Sequence, residues 1–521
     1  MTYRTSRTRQ ISTALAVLLT SPALATVTAG PAAAGVHHTF HVDCSRAQDG
    51  NGTNGRPWNT LAAVNSTVFA PGDQILFKRG TACHGALTPQ GSGSARAPIT
   101  VGAYGTGVQP LIAGDGVPAA VYLHNVEYWE LADLEVTNHG PTVANRRGVQ
   151  VELSDFGTGH HYRLTNLTVH DVNGDNTKDS HGSSGIHLDV AGSAKPTAFD
   201  DVEIDGNTVY TVDRTGIELS SDWWCRKEVN CDPAWGWGNS YTPWTGVVVQ
   251  NNTVHDIGGD GIVMQYTKGG LNQYNTAYDI NMRSGLNNAG IWVWNADNVT
   301  FQFNEAYRVR RPAGTDDGEA FDVDYGTDGT TYQYNYSHDN EGGFLLYCGG
   351  CGGGTSSGKN SVVRYNVSQN DGTRVIAAAG ATNASFYNNS IYLPAGSTTA
   401  VVEELWPKGT THLTLANNII DNLGTGGFLM ADTSKTNYSW THNLLAGNHP
   451  ADEPADPYKI TADPLFSAPG TGPAGYRLQA GSPALAAGLP IAGNGGRDYA
   501  GNRVPAGCTP DIGAFQITDC G

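Results

Sequence analysis

Apolar residues alternate with variable residues in six short runs in the middle of the chain. Each run has apolar side chains at its second and fourth positions, while its third and fifth positions vary. A period of two is typical of a β-strand with one buried face, and recurrence about every 20–50 residues is typical of a repeat architecture. The runs are Gly185–Asp189, Gly216–Ser220, Gly261–Gln265, Gly290–Trp294, Ala320–Asp324 and Gly343–Tyr347.

A second repeat, of asparagine, supports the first. Asparagine follows short alternating runs at intervals of 23, 29, 31, 31, 23, 29 and 25 residues from Asn252 to Asn443. One step fits a coil of three short strands joined by loops of varying length. Asparagine suits left-handed turns, and stacked asparagines can hydrogen-bond along a ladder. The longer step from Asn207 to Asn252 predicts a tryptophan-rich insertion at about residues 221–244.

Residues 1–34 have the pattern of an export signal peptide. Three arginines precede a mostly apolar stretch from Ile11 to Ala25, and small residues suit cleavage after Ala34, with Ala23-Leu24-Ala25 as a competing site. The apolar stretch is short of the roughly 20 residues that a membrane span needs. The sequence therefore predicts a secreted, extracellular mature protein that does not bind to or cross a membrane.

The charge and the cysteines narrow the class of partner and the environment. The formal net charge is −18, and it becomes −21 without residues 1–34, which hold three arginines and no acid. This balance argues against nucleic acid and anionic membranes as partners and leaves neutral glycans open. We expect the protein to be a monomer. Eight cysteines in an exported chain predict disulfides. Local pairing gives Cys44–Cys83, Cys225–Cys231, Cys348–Cys351 and Cys508–Cys520.

The repeat resembles the right-handed parallel β-helix of secreted polysaccharide-active enzymes, a superfamily that includes pectate lyases, polygalacturonases and several other glycosidase families. The resemblance covers about Val42 to Phe515, with an N-terminal cap at about residues 40–115 and a closing Asp511-Ile512-Gly513-Ala514-Phe515. It implies an all-β fold, a single-stranded right-handed parallel β-helix, in one domain of residues 35–521. The same motifs do not specify the reaction, because the polygalacturonase signature is absent from the sequence.

Stacking the runs as neighbouring strands, about 4.8 Å apart, brings two tryptophans beside two aspartates. They are Trp292 and Trp294, and Asp322 and Asp324. Indole faces bind the apolar face of a pyranose, while carboxylates reach the glycosidic oxygen or the hydroxyls. Carboxylates this close raise one another's pKa, as a general acid requires. The leading prediction is a glycoside hydrolase with Asp322 and Asp324 as acid and nucleophile or base.

Other acidic and polar residues of the runs take secondary roles in this hypothesis. Glu319 and Glu341 precede their strands and are the reserve acids. Glu218 lies three strands, about 14 Å, from Asp322, so we expect it to bind substrate rather than react. The predicted subsite residues are Trp292, Trp294, Gln265, Tyr347 and Glu218.

Two other functions stay open from the sequence. A polysaccharide lyase would eliminate at a uronate and use Ca²⁺, for which clustered aspartates are suitable ligands; these are Asp316, Asp317, Asp322 and Asp324. A non-catalytic glycan-binding β-helix would use the tryptophans alone. The tryptophans can also pack beneath the insertion as a small satellite core. A hydrolase needs no cofactor, and no metal site is predicted for it.

Overall fold

The computed structural model describes residues 37–178, 181–236, 238–351, 358–406, 410–431, 437–504 and 507–517. Within these residues the chain winds into successive coils whose strands stack as three parallel sheets of 14, 13 and 11 strands. This confirms the prediction of an all-β parallel β-helix. The predicted signal peptide, residues 1–34, lies outside the described residues.

Each coil contributes one strand to each sheet along most of the chain. Sheet 1 comprises Thr39–Val42, Gln74–Lys78, Ile99–Tyr104, Trp129–Ala132, Thr158–Thr165, Ala198–Asp205, Thr245–Gln250, Leu271–Gln273, Thr300–Gln302, Thr331–Gln333, Val362–Arg364, Ala381–Tyr387, Thr411–Ala416 and Tyr438–Thr441. Sheet 2 comprises Ala82–His84, Leu111–Ala113, Glu135–Asn138, Thr168–Val172, Thr208–Val212, Thr253–Ile257, Thr276–Ile280, Glu305–Val309, Tyr336–His338, Val367–Gln369, Ser390–Leu393, Ile419–Asn422 and Leu444–Gly447.

Sheet 3 contains the six sequence runs and begins later in the chain than the other two sheets. It comprises Ala119–His124, Arg147–Ser154, Ser184–Ala191, Thr215–Ser221, Ile262–Gln265, Ile291–Trp294, Glu319–Asp324, Gly343–Cys348, Arg374–Ala378, Ala400–Glu404 and Phe428–Leu429. The described helices are short: the α-helix Leu61–Asn65 and the 3₁₀ turns Lys227–Val229, Pro233–Trp235 and Pro473–Tyr476. No helix in the described ranges is long and apolar enough to cross a membrane.

The interior is a set of columns in which equivalent residues of successive coils stack. One column in sheet 3 consists of Ile186, Ile217, Ile262, Ile291 and Phe321, which pair strand to strand and are fully buried. Each fully buried side chain of this kind contributes about 1.5–3 kcal/mol. The apolar half of the sequence pattern therefore forms the core, and the variable half faces outward.

The asparagine ladder forms as predicted between sheets 1 and 2. Asn335 is typical: its side-chain oxygen accepts from the backbone N–H of Asn304 at 2.9 Å, and its amide donates to the Phe301 carbonyl and to Asn366, both at 3.0 Å. The left-handed conformation falls on the residue before each ladder asparagine, for example Tyr334 at φ 60°. The ladder asparagines thus satisfy buried backbone groups at every turn.

Replacing Asn335 by alanine is expected to destabilise the protein by about 3 kcal/mol, because a buried N–H of Asn304 and a buried carbonyl of Phe301 lose their partners. Urea unfolding measures the change. Gln302→Ala is the matched control, because Gln302 bonds only to other glutamines on the outer face of sheet 1. Equal losses in both variants would contradict a special role for the ladder.

Disulfides close three local loops, as predicted. They are Cys44–Cys83, Cys225–Cys231 and Cys348–Cys351. The fourth predicted pair includes Cys520, which lies outside the described residues. The Cys225–Cys231 bridge lies in the tryptophan-rich insertion, which follows the sheet 3 strand Thr215–Ser221, and the Cys348–Cys351 bridge ends the strand Gly343–Cys348. Two disulfides therefore flank the outer face of sheet 3.

Candidate active site

The outer face of sheet 3 brings the predicted tryptophans and aspartates together. Trp292 pairs directly with Asp322 on the next strand. Trp294 and Asp324, two residues further on, line the same cavity. The predicted neighbourhood of the indole and carboxylate strands is confirmed.

Two adjoining cavities open at these strands. Cavity 1, about 420 Å³, is lined by Arg214, Glu218, Trp224, Val263, Gln265, Tyr266, Trp294 and Tyr325. Cavity 2, about 320 Å³, is lined by Asn287, Ala289, Asp316, Asp317, Asp322, Leu346, Cys348, Cys351, Ala379, Leu405 and Trp406. Lys178, Asp260, Trp292 and Asp324 line both cavities. These four residues therefore mark the junction of the two cavities.

Asp260 fixes the indole at this junction. Its Oδ1 accepts from Trp292 Nε1 at 3.0 Å, and its Oδ2 accepts from the buried guanidinium of Arg214 at 2.7 Å. Lys178 Nζ lies 3.8 Å from Asp260 Oδ2 and 5.1 Å from the centre of the Trp292 ring. Charge-assisted bonds of this kind are stronger than neutral ones, so the Trp292 ring is held in one orientation.

Trp294 lines cavity 1 and also packs against the insertion. Its ring centre lies 5.4 Å from Tyr325, 5.6 Å from Tyr266 and 6.2 Å from Trp224 of the insertion. Arg226, two residues further along the insertion, pairs with Asp297 at 2.8 Å. The satellite packing considered from the sequence is therefore present at Trp294, but the ring remains part of the cavity wall.

The pKa values of three carboxyl groups around cavity 2 are raised. Burial, followed by the charges of Asp324 and Asp317, raises the pKa of Asp322 well above its ordinary value. Burial also raises the pKa of Asp324 and of Asp317, the latter against the opposing charge of Lys178. Asp322 is only 4 % exposed, whereas Asp317 and Asp324 are half-buried. Such mutually perturbed carboxyls in a cavity are typical of acid–base chemistry.

Glu218 and Gln265, two of the predicted subsite residues, line cavity 1. Burial raises the pKa of Glu218 to about 8. Its Oε2 is buried and makes no hydrogen bond to any described residue. A neutral, protonated carboxyl facing a cavity is a suitable donor to a sugar oxygen.

The structure corrects the position of Tyr347. Phe321 pairs with Leu345, Asp322 with Leu346 and Val323 with Tyr347, one residue out of step with the sequence alignment of the runs. Tyr347 consequently points into the core and is fully buried. The residues that face outward on this strand are Leu346 and Cys348, both of which line cavity 2.

The two reserve acids lie elsewhere than predicted. Glu319 is fully buried and its Oε1 accepts from Arg374 at 3.0 Å, so it belongs to an internal ion pair. Glu341 is exposed, and its Oε2 accepts from the backbone N–H of Arg311 at 2.8 Å. Neither lines cavity 1 or cavity 2, so both assignments as acids are corrected.

Tyr347→Phe tests the corrected register. The Tyr347 hydroxyl is buried and has no hydrogen-bond partner among the described residues, so its removal is expected to leave stability equal or higher by about 1 kcal/mol. Turnover of substrate should not change, because the side chain does not reach the cavities. A loss of binding or turnover without loss of stability would restore Tyr347 to the site.

Sequence reasoning missed part of the site because it lies on loops. Asp317 and Lys178 line the site but lie outside the sheet 3 strands. The prediction from the sequence rests on the alternation of residues along strands, so it does not extend to them. The adjacent acids Asp316 and Asp317, directly before the strand Glu319–Asp324, are a signal in the sequence, but the sequence alone suggests them only as calcium ligands. Nothing in the strand period indicates that Lys178 reaches the junction.

The disulfide next to Asp324 bears on metal binding. Ligand atoms of Asp324, Cys348 and Cys351 lie within 4.8 Å of one another. The two sulfurs are bonded to each other, so they do not offer the thiolates that a zinc site requires. The donors left for a cation at this point are carboxylates whose pKa values are raised.

Fold and site together define a parallel β-helix protein with a carboxylate- and tryptophan-lined pair of cavities on one sheet. The family model described as "right handed beta helix region" matches residues 156–391. The chain is similar to the lacto-N-biosidase of Bifidobacterium longum subsp. longum, with 27% identity over 606 residues that cover 92% of this chain and 36% of that protein. The chain thus spans about a third of the length of this relative.

A crystal structure shows the same likeness. The GH136 lacto-N-biosidase from Eubacterium ramulus superimposes with a TM-score of 0.61 at 25% identity, covering 78% of this chain and 67% of that chain. A second crystal structure of that enzyme gives 0.58 at 24% identity. The resemblance to the right-handed β-helix superfamily, predicted from the sequence, is confirmed.

Proposed function

We propose that the protein is a glycoside hydrolase that acts on an oligosaccharide at the junction of cavities 1 and 2. The observation that carries this proposal is the group of Asp317, Asp322 and Asp324, three carboxyls with raised pKa values beside the fixed indole of Trp292. Acid catalysis on a glycosidic oxygen requires a carboxyl that stays protonated near neutral pH, and a second carboxylate completes the reaction.

Among the three carboxyls, Asp324 and Asp317 are the reacting pair in this proposal. Both are half-buried and so can touch a sugar, and Asp324 lines both cavities. The charges of both raise the pKa of Asp322, and the charge of Asp317 also raises the pKa of Asp324. One of the pair protonates the leaving oxygen, and the other acts as nucleophile or activates a water molecule.

Asp322 takes a supporting part in the mechanism. It is almost fully buried between Trp292 and Leu346 on the neighbouring strands, and one of its oxygens has no hydrogen-bond partner among the described groups. Such surroundings disfavour the charged form of a carboxyl and so raise the pKa of Asp322. We assign it the role of a hydrogen-bond donor to the substrate or to the reacting carboxylate, which replaces its predicted role as acid or nucleophile.

The relatives suggest the kind of glycan. Both are lacto-N-biosidases by name, so we propose a substrate that carries lacto-N-biose, a neutral disaccharide. Trp292 and Trp294 would stack on pyranose faces, while Gln265 and the protonated Glu218 would bond to hydroxyl or acetamido oxygens in cavity 1. Asp260 contacts both Lys178 and Arg214, so these two positive charges are partly neutralised and do not by themselves select an anionic ligand.

The experiment is an assay on the purified protein with the p-nitrophenyl glycoside of lacto-N-biose and a panel of neutral and uronate-containing glycans. Release of nitrophenol or of new reducing ends without ultraviolet absorbance of an unsaturated uronate supports hydrolysis. Appearance of that absorbance, and its loss with a calcium chelator, would replace the proposal by the lyase. Binding without turnover on any glycan would replace it by a glycan-binding protein.

We further propose that the protein is secreted as a monomer after cleavage behind Ala34. The signal-like pattern of residues 1–34 supports secretion. Amino-terminal sequencing of the protein from culture medium should begin at Gly35. Light scattering on the same material gives the number of subunits.

A further inference from the structure

A third cavity, of about 510 Å³, opens on the same sheet nearer the amino terminus. We call it the distal cavity. Its polar lining consists of Thr88, Tyr122, Arg147, Gln150, Glu152, His181 and Asp189. None of these residues lines cavity 1 or cavity 2, so the proposed hydrolysis does not use it.

The distal cavity is built from the same outward positions of sheet 3 as the active site. Tyr122 pairs with Gln150, and Gln150 with His187, which in turn pairs with Glu218 of cavity 1. A parallel row runs through Glu152 and Asp189. From the strand of Gln150 to that of Asp322 there are five steps, or about 24 Å.

The floor between the two sites is closed. His187 and Ser220, which continue the two rows, are fully buried and bond to each other at 2.6 Å. Lys178 lines cavities 1 and 2, whereas His181, three residues later, lines the distal cavity. The distal cavity is therefore a separate concave site and not the end of one open groove.

Its polar groups are preorganised as in a sugar site. Glu152 Oε2 accepts from Tyr122 Oη at 3.0 Å and from Gln150 Nε2 at 3.1 Å. Asp189 Oδ1 accepts from Ser220 Oγ at 2.8 Å and pairs with His181 Nδ1 at 2.9 Å. Fixed carboxylates and amides next to the aromatic ring of Tyr122 are the combination that binds hydroxyl-rich ligands.

The charges favour an uncharged ligand. Glu152 and Asp189 line the cavity together with Arg147 and His181, and His181 Nε2 also lies 3.1 Å from a third carboxylate, that of Asp222. The hydrogen bond to Asp189 raises the pKa of His181 to about 9, so this ring is charged at neutral pH. The balance offers no net attraction to a uronate or a phosphate.

We propose that the distal cavity is a second glycan-binding site, which takes a neutral pyranose of the substrate glycan or of a neighbouring chain. The inference rests on the proposed function only in taking the ligand to be a glycan. Such a site holds the protein on a long or clustered glycan and raises the effective concentration of cleavable ends.

Titration calorimetry of the Asp324→Asn protein with lacto-N-biose, N-acetyllactosamine, cellobiose and xylobiose tests the proposal. We expect two sites for at least one disaccharide. Adding Gln150→Leu, or separately Glu152→Gln, should weaken one of them about tenfold, the effect of one lost polar contact of about 1.4 kcal/mol. Gln302→Ala on the outer face of sheet 1 is the matched control and should leave both sites unchanged.

The outcomes separate the two proposals. In the protein with Asp324 intact, Gln150→Leu and Glu152→Gln should leave hydrolysis of the p-nitrophenyl glycoside unchanged, because this short substrate occupies only cavities 1 and 2. Normal hydrolysis with a single site that neither distal variant affects would overturn the second site and leave the proposed function intact. Distal-dependent binding in a protein that hydrolyses nothing would support the second site and reject the hydrolase.

Discussion

Asp324→Asn and Asp317→Asn are each expected to lower kcat/KM by about 10²–10⁴-fold, because each removes one member of the proposed reacting carboxyl pair. Asparagine has nearly the same shape as aspartate but neither donates a proton nor acts as a carboxylate. Binding of the unhydrolysed glycan should persist, since Trp292, Trp294 and Gln265 stay in place. The measurement is the rate on the p-nitrophenyl glycoside together with the affinity for lacto-N-biose.

Replacing a buried carboxyl of this site is expected to lower activity but to raise stability. The pKa values of Asp317, Asp322 and Asp324 are raised in the folded protein by burial, so the unfolded chain ionises them more easily and gains relative stability as the pH rises above about 4. Asp322→Asn, at the most buried of the three, is expected to raise the free energy of unfolding at pH 7 by about 1 kcal/mol or more. The gain should vanish near pH 3, where wild-type carboxyls are protonated in both states.

Glu341→Gln is the matched control for these variants. Glu341 is an acid on the next strand turn, but it is exposed and bonds to the Arg311 backbone outside both cavities. The activity and the stability of the Glu341→Gln protein should equal those of the wild type. Full activity in Asp324→Asn would remove the carboxyl pair from the mechanism. An equal loss of activity in Glu341→Gln would return Glu341 to its predicted role as an acid.

The fold could be predicted from the sequence because its evidence is local and repeated. Successive coils repeat the same alternation of apolar and variable residues, and each ladder asparagine accepts a hydrogen bond from the backbone of the one before it. The predicted register is wrong at one strand, where Phe344, Leu345 and Leu346 are consecutive apolar residues. An apolar run has no period, so it does not indicate which side chain faces inward. Only the pairing of Glu319 with Gly343 fixes it.

The site could be predicted only where it lies on strands. Trp292 and Asp322 are neighbours because the repeat makes them so. The partner of Glu319 could not be found in this way, because Arg374 is 55 residues further along the chain and two strands away. Asp317 likewise owes its place to a turn whose conformation depends on tertiary contacts rather than on the period.

Arg374 holds the turn that carries Asp317. The guanidinium is buried, donates to the carbonyl of Asp316, and pairs with Glu319 and Glu403, each at 3.0 Å. Gly343 lies on the strand between Glu319 and Arg374 at φ 146°, and a Cβ there would lie 1.9 Å from the Arg374 carbonyl oxygen. We infer that Arg374 positions the Asp316-Asp317 turn and, through it, the proposed reacting carboxyl of Asp317.

Arg374→Met is expected to destabilise the protein by about 3–5 kcal/mol, because the buried Glu319 carboxyl, whose pKa burial raises to about 7 even beside Arg374, loses its ion-pair partner and must take up a proton or bear an unpaired charge. It should also lower kcat, since the Asp316 carbonyl loses its donor and Asp317 loses its fixed position. Urea unfolding and the kcat and KM for the p-nitrophenyl glycoside measure the two effects.

The double variant Arg374→Met with Glu319→Gln separates the two effects. It replaces the unpaired carboxyl of Glu319 by an amide, which is uncharged at every pH, and should recover most of the stability. The kcat should stay low, because the contact to the Asp316 carbonyl is still missing, while KM should change little. Recovery of kcat together with stability would mean that Arg374 only stabilises the coil, and that the position of Asp317 does not depend on it.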